Sequence, residues 1–334
     1  MENMNTGANS NAEPAVPHIS VCVCTYKRPD LLKRLLLHLG EQATGGVFTY
    51  SIVVVDNDEA RSAEATAAQA AEALPVAVKY DVEARRSIAL ARNKAAAGAS
   101  GEFVALIDDD EFPAPDWLLT LFRARERYGV DGVLGPVIRH FEEAPPRWFE
   151  KSNIYDRRVN PTGMAVTWKE ARTGNVLVKA QVLSGGMPFR PEFRAGEDQD
   201  FFWRKIQEGF VFIWCAEAVV YETIPPARWK RVYVLRKAAL QGATAVQHPN
   251  FGAIGIGKAM VAVPLYTLCL PFALLFGQHR FMELLVKIAD HSGKLLRSAG
   301  MNPIREEYVS GVSESSGAGL GRENCASSLA GLEE

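Results

Sequence analysis

Phe103-Val-Ala-Leu-Ile-Asp-Asp-Asp-Glu111 decides the fold. Five apolar residues in an unbroken run read as a strand buried on both faces, and four carboxylates follow at once. Earlier in the chain residues 19–24 and 51–55 are similar runs rich in Val and Ile, and residues 76–80 read as a further strand. Between them lie helical patterns. Leu31, Leu32, Leu35, Leu36 and Leu39 fall at helical spacing after Pro29-Asp30, and residues 60–73, 87–99 and 116–128 are further candidates. Alternation of this kind predicts an α/β domain, a mostly parallel Rossmann-like sheet with helices on both faces. Ligands then bind beyond the carboxyl ends of the strands.

The polar residues collect at those strand ends: Thr25-Tyr26-Lys27-Arg28-Pro29-Asp30 after the first, Asp56-Asn57-Asp58 after the second, Asp108-Asp109-Asp110-Glu111 after the fourth. Singly, some have plain readings: Asp30 as a helix cap and Asp56-Asn57-Asp58 as a turn. Asp108–Glu111 is different, because like charges at the mouth of a buried strand are costly without a cation. Hard oxygen donors of this kind suit Mg2+ or Mn2+, which would also hold a diphosphate. Arg92 and Asn93 lie on the helix before the acidic strand, where an arginine meets phosphate or ribose oxygens, or simply faces water. Gly196-Glu197-Asp198-Gln199-Asp200 opens a helix expected to begin near Phe201. Carboxylates there either only complement the helix dipole or supply a general base.

The stretches 19–29, 53–57, 90–93, 106–111, 173–175 and 196–198 together resemble the family 2 glycosyltransferases of GT-A fold, and among them bacterial exopolysaccharide enzymes of the succinoglycan type. The resemblance implies that Thr25, Tyr26 and Arg28 line a nucleotide pocket, that Asp56 receives the base, and that Arg92, Asn93 and Asp109 help bind the nucleotide-sugar. Asp108 and Asp110 match the ends of the family's DXD motif, Asp108 toward the ribose and Asp110 on the metal. Asp198 matches the catalytic base, with Glu197 supporting the acceptor. Many relatives carry a histidine after the later strand; this chain has Glu222, a carboxylate able to ligate the same metals. The implied reaction is inverting transfer of a sugar, from a UDP-sugar for preference, to a saccharide acceptor that is lipid-linked. Trp148 and Trp168 are acceptor-stacking candidates.

Composition is consistent with this and excludes other classes. The chain has 334 residues, 48% hydrophobic and 23% charged, with net charge −2, so it buries a core and is no general nucleic-acid binder. Five scattered cysteines without a CxxC spacing argue against a disulfide scaffold or a zinc module. Thr25–Asp30 contains no glycine, unlike the first loop of a sugar-nucleotide pyrophosphorylase. A non-catalytic carbohydrate-binding role would leave two complete acidic sites idle.

Charge is unevenly placed. Residues 225–300 carry ten basic and two acidic side chains, a local +8. Within them residues 259–279 hold no charge, long enough to span a bilayer, with Pro264 and Pro271 inside. The organisation expected is a leader at 1–17, a catalytic domain at 18–225, a basic and apolar helical segment at 226–300 and a disordered tail at 301–334. A kinked segment seated in the cytoplasmic leaflet of the inner membrane, or a buried helical hairpin or dimer contact, would explain the apolar run.

Overall fold

The computed structural model describes residues 16–193, 195–248 and 251–301; nearly all of the expected leader and tail lie outside them. The chain alternates strands and helices through its first half: β1 (His18–Thr25), α1 (Pro29–Gly40), β2 (Thr49–Asp56), α2 (Glu64–Ala73), β3 (Val78–Val82), α3 (Ile88–Gly98) and β4 (Phe103–Asp108). Then come β5 (Glu111–Pro113), α4 (Trp117–Tyr128), β6 (Gly132–Leu134), β7 (Val137–His140), α5 (Arg147–Glu150), β8 (Asn175–Lys179), α6 (Glu197–Gln207), β9 (Phe212–Trp214) and β10 (Val220–Thr223). Three helices close the described chain: α7 (Arg231–Ala245), α8 (Gly252–Leu275) and α9 (Gln278–Ser298).

Seven strands form the main sheet in the order β3-β2-β1-β4-β8-β6-β9, in which β8 alone runs against its neighbours. The mostly parallel α/β sheet read from the sequence is therefore present. Alternation along each strand divides the core, since successive side chains point to opposite faces. Ile19, Val21 and Val23 of β1, Ile52 and Val54 of β2, and Phe103, Ala105 and Ile107 of β4 join the leucines of α1 and α4 on one face. Cys22, Val53, Val55, Val104 and Leu106 join α3 and α6 on the other. Burial on both faces is why these strands lack a polar stripe.

Some boundaries move for local reasons. The helix expected from residue 60 begins at Glu64, because Asp56 accepts from the amides of Asp58 at 3.1 Å and Ala63 at 2.7 Å and holds the intervening loop. The helix expected near Phe201 begins at Glu197, so its first turn contains Glu197, Asp198 and Asp200. A small second sheet, β5-β10-β7, was not foreseen; strands of three or four residues leave too short a pattern to read.

Helices α7 and α9 cross on glycines. A Cβ on Gly242 would lie 1.9 Å from the Asp290 carbonyl oxygen, and one on Gly293 would lie 2.1 Å from that of Ala239. The crossing thus has no room for any side chain. Gly242→Ala is expected to destabilise the chain by about 1–3 kcal/mol, the usual cost of overpacking. Chemical denaturation measures it; unchanged stability would show that the helices separate freely.

Helix α8 runs unbroken through Pro264 and Pro271, and is the one helix among the described residues long and apolar enough to cross a membrane. Leu268, Phe272 and Leu275 are 71%, 65% and 80% exposed. A buried hairpin is therefore not what this chain forms, and an apolar surface of this extent marks an interaction face.

Candidate active site

The strand ends and the start of α6 open onto one cleft of about 590 Å3. Thr25, Tyr26, Arg28, Arg92, Asp108, Asp109, Asp110, Glu197 and Asp198 all line it. Two acidic groups about ninety residues apart in the chain therefore share one space, and Arg92 joins them. Its guanidinium donates to Asp108 at 3.0 Å and also to Glu197. Arg92 sits on α3, capped by Ser87, whose hydroxyl accepts from the Leu90 amide.

The acidic loop after β4 is shaped from beneath by Glu111. This buried carboxylate accepts from the Asp108 amide at 3.1 Å. Burial, with Asp108 adding to it, raises its pKa well above the carboxylate range. Gly174 permits the approach, because a Cβ there would lie 2.5 Å from the Glu111 Oε1. Its neighbour Asn175 accepts from the Trp117 indole at 2.8 Å and donates to the Pro136 and Ala218 carbonyls at 2.9 and 2.7 Å. The Thr173-Gly174-Asn175 stretch is thus a brace under the site.

Arginines supply the countercharge that the sequence reading assigned to a metal. Arg28 donates to Asp109 at 3.0 Å and to Asp110 at 3.2 Å, and Thr25 donates to Asp109 at 2.8 Å. Arg228 donates to Asp110 at 2.6 Å and to Glu222 at 3.0 Å. The two aspartates respond oppositely. Burial pushes Asp109 up to about 6 despite Arg28, whereas Asp110, although equally enclosed, is held below its usual range by Arg228 and Arg28. Glu197 is pushed up to about 7 by burial, with Arg92 opposing and Asp198 adding to the shift. Asp198 accepts from the Gln199 amide at 2.7 Å and lies 3.8 Å from the Arg172 Nε.

Several predicted residues lie elsewhere. Asp56 is wholly enclosed and does not line the cleft; besides its two amide donors it accepts from the Tyr80 hydroxyl at 3.1 Å. Asn93 also faces away, exchanging hydrogen bonds of 2.7 and 2.8 Å with the Phe189 backbone. Glu222 is outside the cleft lining and is held by Arg228 and, at 3.3 Å, by Arg157. Trp148 packs edge-on against Phe149, and Arg231 lies 5.6 Å over its ring. Trp168 does not line the cleft; it stacks at 4.2 Å on His248, which does. Arg172, Arg228 and Lys237 line the cleft but were not singled out in the sequence. Arg228 was visible only as part of the +8 segment, 118 residues from the aspartate that it meets.

The donor set still suits a hard cation in part. Asp108, 40% exposed at its side chain, and Asp110 present carboxylate oxygens to the cleft, and diphosphate oxygens would complete such a shell. Asp110 would exchange contacts with Arg28 and Arg228 for the ion, whereas Glu222, which does not line the cleft, stands apart from that shell.

The Glycosyl transferase family 2 model matches residues 20–187. The chain is 30% identical over 238 residues to the succinoglycan biosynthesis protein ExoM of Rhizobium meliloti (strain 1021), covering 68% of this chain and 74% of that protein. Its fold matches the mannosyltransferase PcManGT from Pyrobaculum calidifontis in complex with GDP-Man and Mn2+, with a TM-score of 0.57 and 21% identity over 84% of this chain and 88% of that one. The family match begins within β1, takes in the acidic loop and ends before the α6 carboxylates that complete the cleft, and with it the chain is shown to belong to glycosyltransferase family 2.

Proposed function

We propose that this glycosyltransferase moves a hexosyl unit from a UDP-sugar to a hydroxyl of a lipid-linked saccharide by a single inverting displacement. The observation that carries the reading is the shared cleft, with Asp110 on one wall and Asp198 on another. The acceptor oxygen attacks the anomeric carbon as its proton passes to Asp198; the bond from that carbon to the diphosphate oxygen breaks, and the nucleoside diphosphate leaves. Asp198 lies in the first turn of α6, where the Gln199 amide holds one carboxylate oxygen; the other, 3.8 Å from the Arg172 Nε and beyond hydrogen-bond distance of it, takes the proton. Arg28 and Arg92 keep the carboxylates of the donor side in place before substrate arrives, which is preorganisation. Tyr26 forms part of the same wall, with Arg86 4.8 Å over its ring.

Asp108 and Asp110 are the residues that would hold Mg2+ or Mn2+, and the bound ion supplies positive charge to the departing diphosphate. With purified protein and a panel of nucleotide-sugars, release of nucleoside diphosphate is expected to stop with chelator and to return with Mn2+ or Mg2+. Full activity in chelator would remove the metal from this reading; no release from any donor under any condition would leave only carbohydrate binding.

The exposed apolar face of α8 beside the basic α9 favours work at the cytoplasmic face of the inner membrane. The full chain is expected to float with anionic liposomes, and Leu268→Glu/Leu275→Glu is expected to stay in the free fraction with its Tm unchanged. Equal flotation of both proteins would refute membrane docking through α8.

A further inference from the structure

A second cavity of about 620 Å3 adjoins the cleft, and Arg172, Lys237 and Gln241 face both spaces. Its walls come from the sheet side at Pro136, Asn175 and Trp214, from the segment 153–158, and from α7 and α9. The transfer reading above makes no use of it.

Its charges do not balance. Six basic and three acidic side chains line the space. Glu283 is paired with Arg280 at 2.9 Å and accepts from the Asn153 amide at 2.8 Å, and Asp156 is paired with Arg139 at 2.6 Å. Arg157 is matched to Glu222 and Arg172 to Asp198. Glu170 accepts from the Thr167 hydroxyl at 2.9 Å and, among the described residues, has no cation at ion-pair distance. Among the described residues Arg158, Lys237 and Lys287 are left without a carboxylate at ion-pair distance, so three cations stand against one unpaired acid. Lys237 is half-buried with its ammonium 4.1 Å from the centre of the Tyr155 ring. Burial, with Arg228 and Arg157 adding and Glu222 and Asp110 opposing, pushes its pKa down to about 8. A half-buried ammonium without a carboxylate at ion-pair distance gains when an anion joins it, and the exposed Arg158 and Lys287 line the same space.

We propose that this cavity binds a phosphate group of the acceptor through Arg158, Lys237 and Lys287, so that the reacting sugar reaches across Arg172 to Asp198. The assignment rests on the transferase reading for its choice of ligand. A phosphate dianion suits the site in charge, and lysine and arginine are its usual partners. Two sources share that chemistry: a phosphate carried by a lipid, and a water-soluble sugar phosphate. Position favours the lipid, since Lys287 belongs to α9, and its ammonium lies 5.8 Å from the centre of the Tyr266 ring of α8.

Calorimetric titration of the full chain in detergent, saturated with Mg2+ and with UDP or GDP to fill the cleft, tests this. Galactose 1-phosphate and farnesyl phosphate are the probes. Wild-type protein is expected to bind at least one of them, and Arg158→Gln/Lys287→Gln to bind it at least tenfold more weakly, each single variant giving part of the loss. The nucleotide Kd should stay within twofold throughout. Tenfold tighter binding of farnesyl phosphate assigns the site to a lipid-borne phosphate, and equal or tighter binding of galactose 1-phosphate assigns it to a soluble one. No binding of either probe to the nucleotide-filled protein, or unchanged affinity in the double variant, overturns the proposal. The readout involves no sugar transfer, so its failure and the failure of the catalytic reading are separate results.

Discussion

Asp198→Asn is expected to lower kcat by about a thousandfold while the donor Kd stays within twofold, a loss in the range usual for a general base. The amide keeps the size of the carboxylate and its side-chain oxygen, so the Gln199 amide retains an acceptor. What goes is the capacity to take a proton. The neighbouring Glu197→Gln change is the contrast. Glu197 holds Arg92, and Arg92 holds Asp108, so weakening that pair disturbs the donor wall and should raise the donor Kd. Steady-state kinetics with nucleotide titrations separate the two. Near-normal turnover in Asp198→Asn would remove the base from the mechanism, whatever Glu197 does.

Arg228→Met is expected to destabilise the chain by about 3 kcal/mol at neutral pH, at the low end of the cost of removing one partner from a buried pair. The low end applies because Arg28 still reaches Asp110 and Arg157 still reaches Glu222. In a chain of this size the loss should lower Tm by roughly 5 °C or more. Its pH dependence follows from Asp110, whose folded pKa lies below its ordinary value. Stability from such a group is present above the unfolded pKa, near 4, and is lost as pH falls through the folded one. The deficit of the variant is therefore full at pH 7 and should shrink as pH drops toward 4, where the uncompensated carboxylates take up protons. Thermal denaturation of both proteins at pH 7.5 and pH 3.5 checks this. A Tm difference below 2 °C at pH 7.5 would show that Arg228 is not needed to neutralise the acidic loop.

The same arginine shows where reading along the chain reached its limit. Four carboxylates after Phe103–Ile107 signalled a need for positive charge, and a divalent ion was the partner that local sequence could suggest. The structure brings guanidinium groups from positions 28, 92 and 228 to the same loop. Spacing carries no information about such partners, because a residue 118 positions away comes near only through folding. Asp56 and Asn93 are the reverse case. Their places at a strand end and on a cleft-side helix were read correctly, but which way each side chain turns depends on nearby backbone donors and acceptors. Trp148 and Trp168 likewise found protein partners at 5.4 and 4.2 Å.

From sequence alone came the strand runs, the helices between them and the carboxylates at the strand ends, because apolar periodicity and chain reversal are local properties. That pattern was enough for the α/β class and for the rim on which the site lies. Tertiary structure decided which charges neutralise one another, the antiparallel course of β8, the glycine crossing of α7 and α9, and the second cavity that adjoins the cleft at Arg172 and Lys237. Each of these depends on surfaces meeting across long separations in the chain, where burial, not order along the chain, sets the energy of a contact.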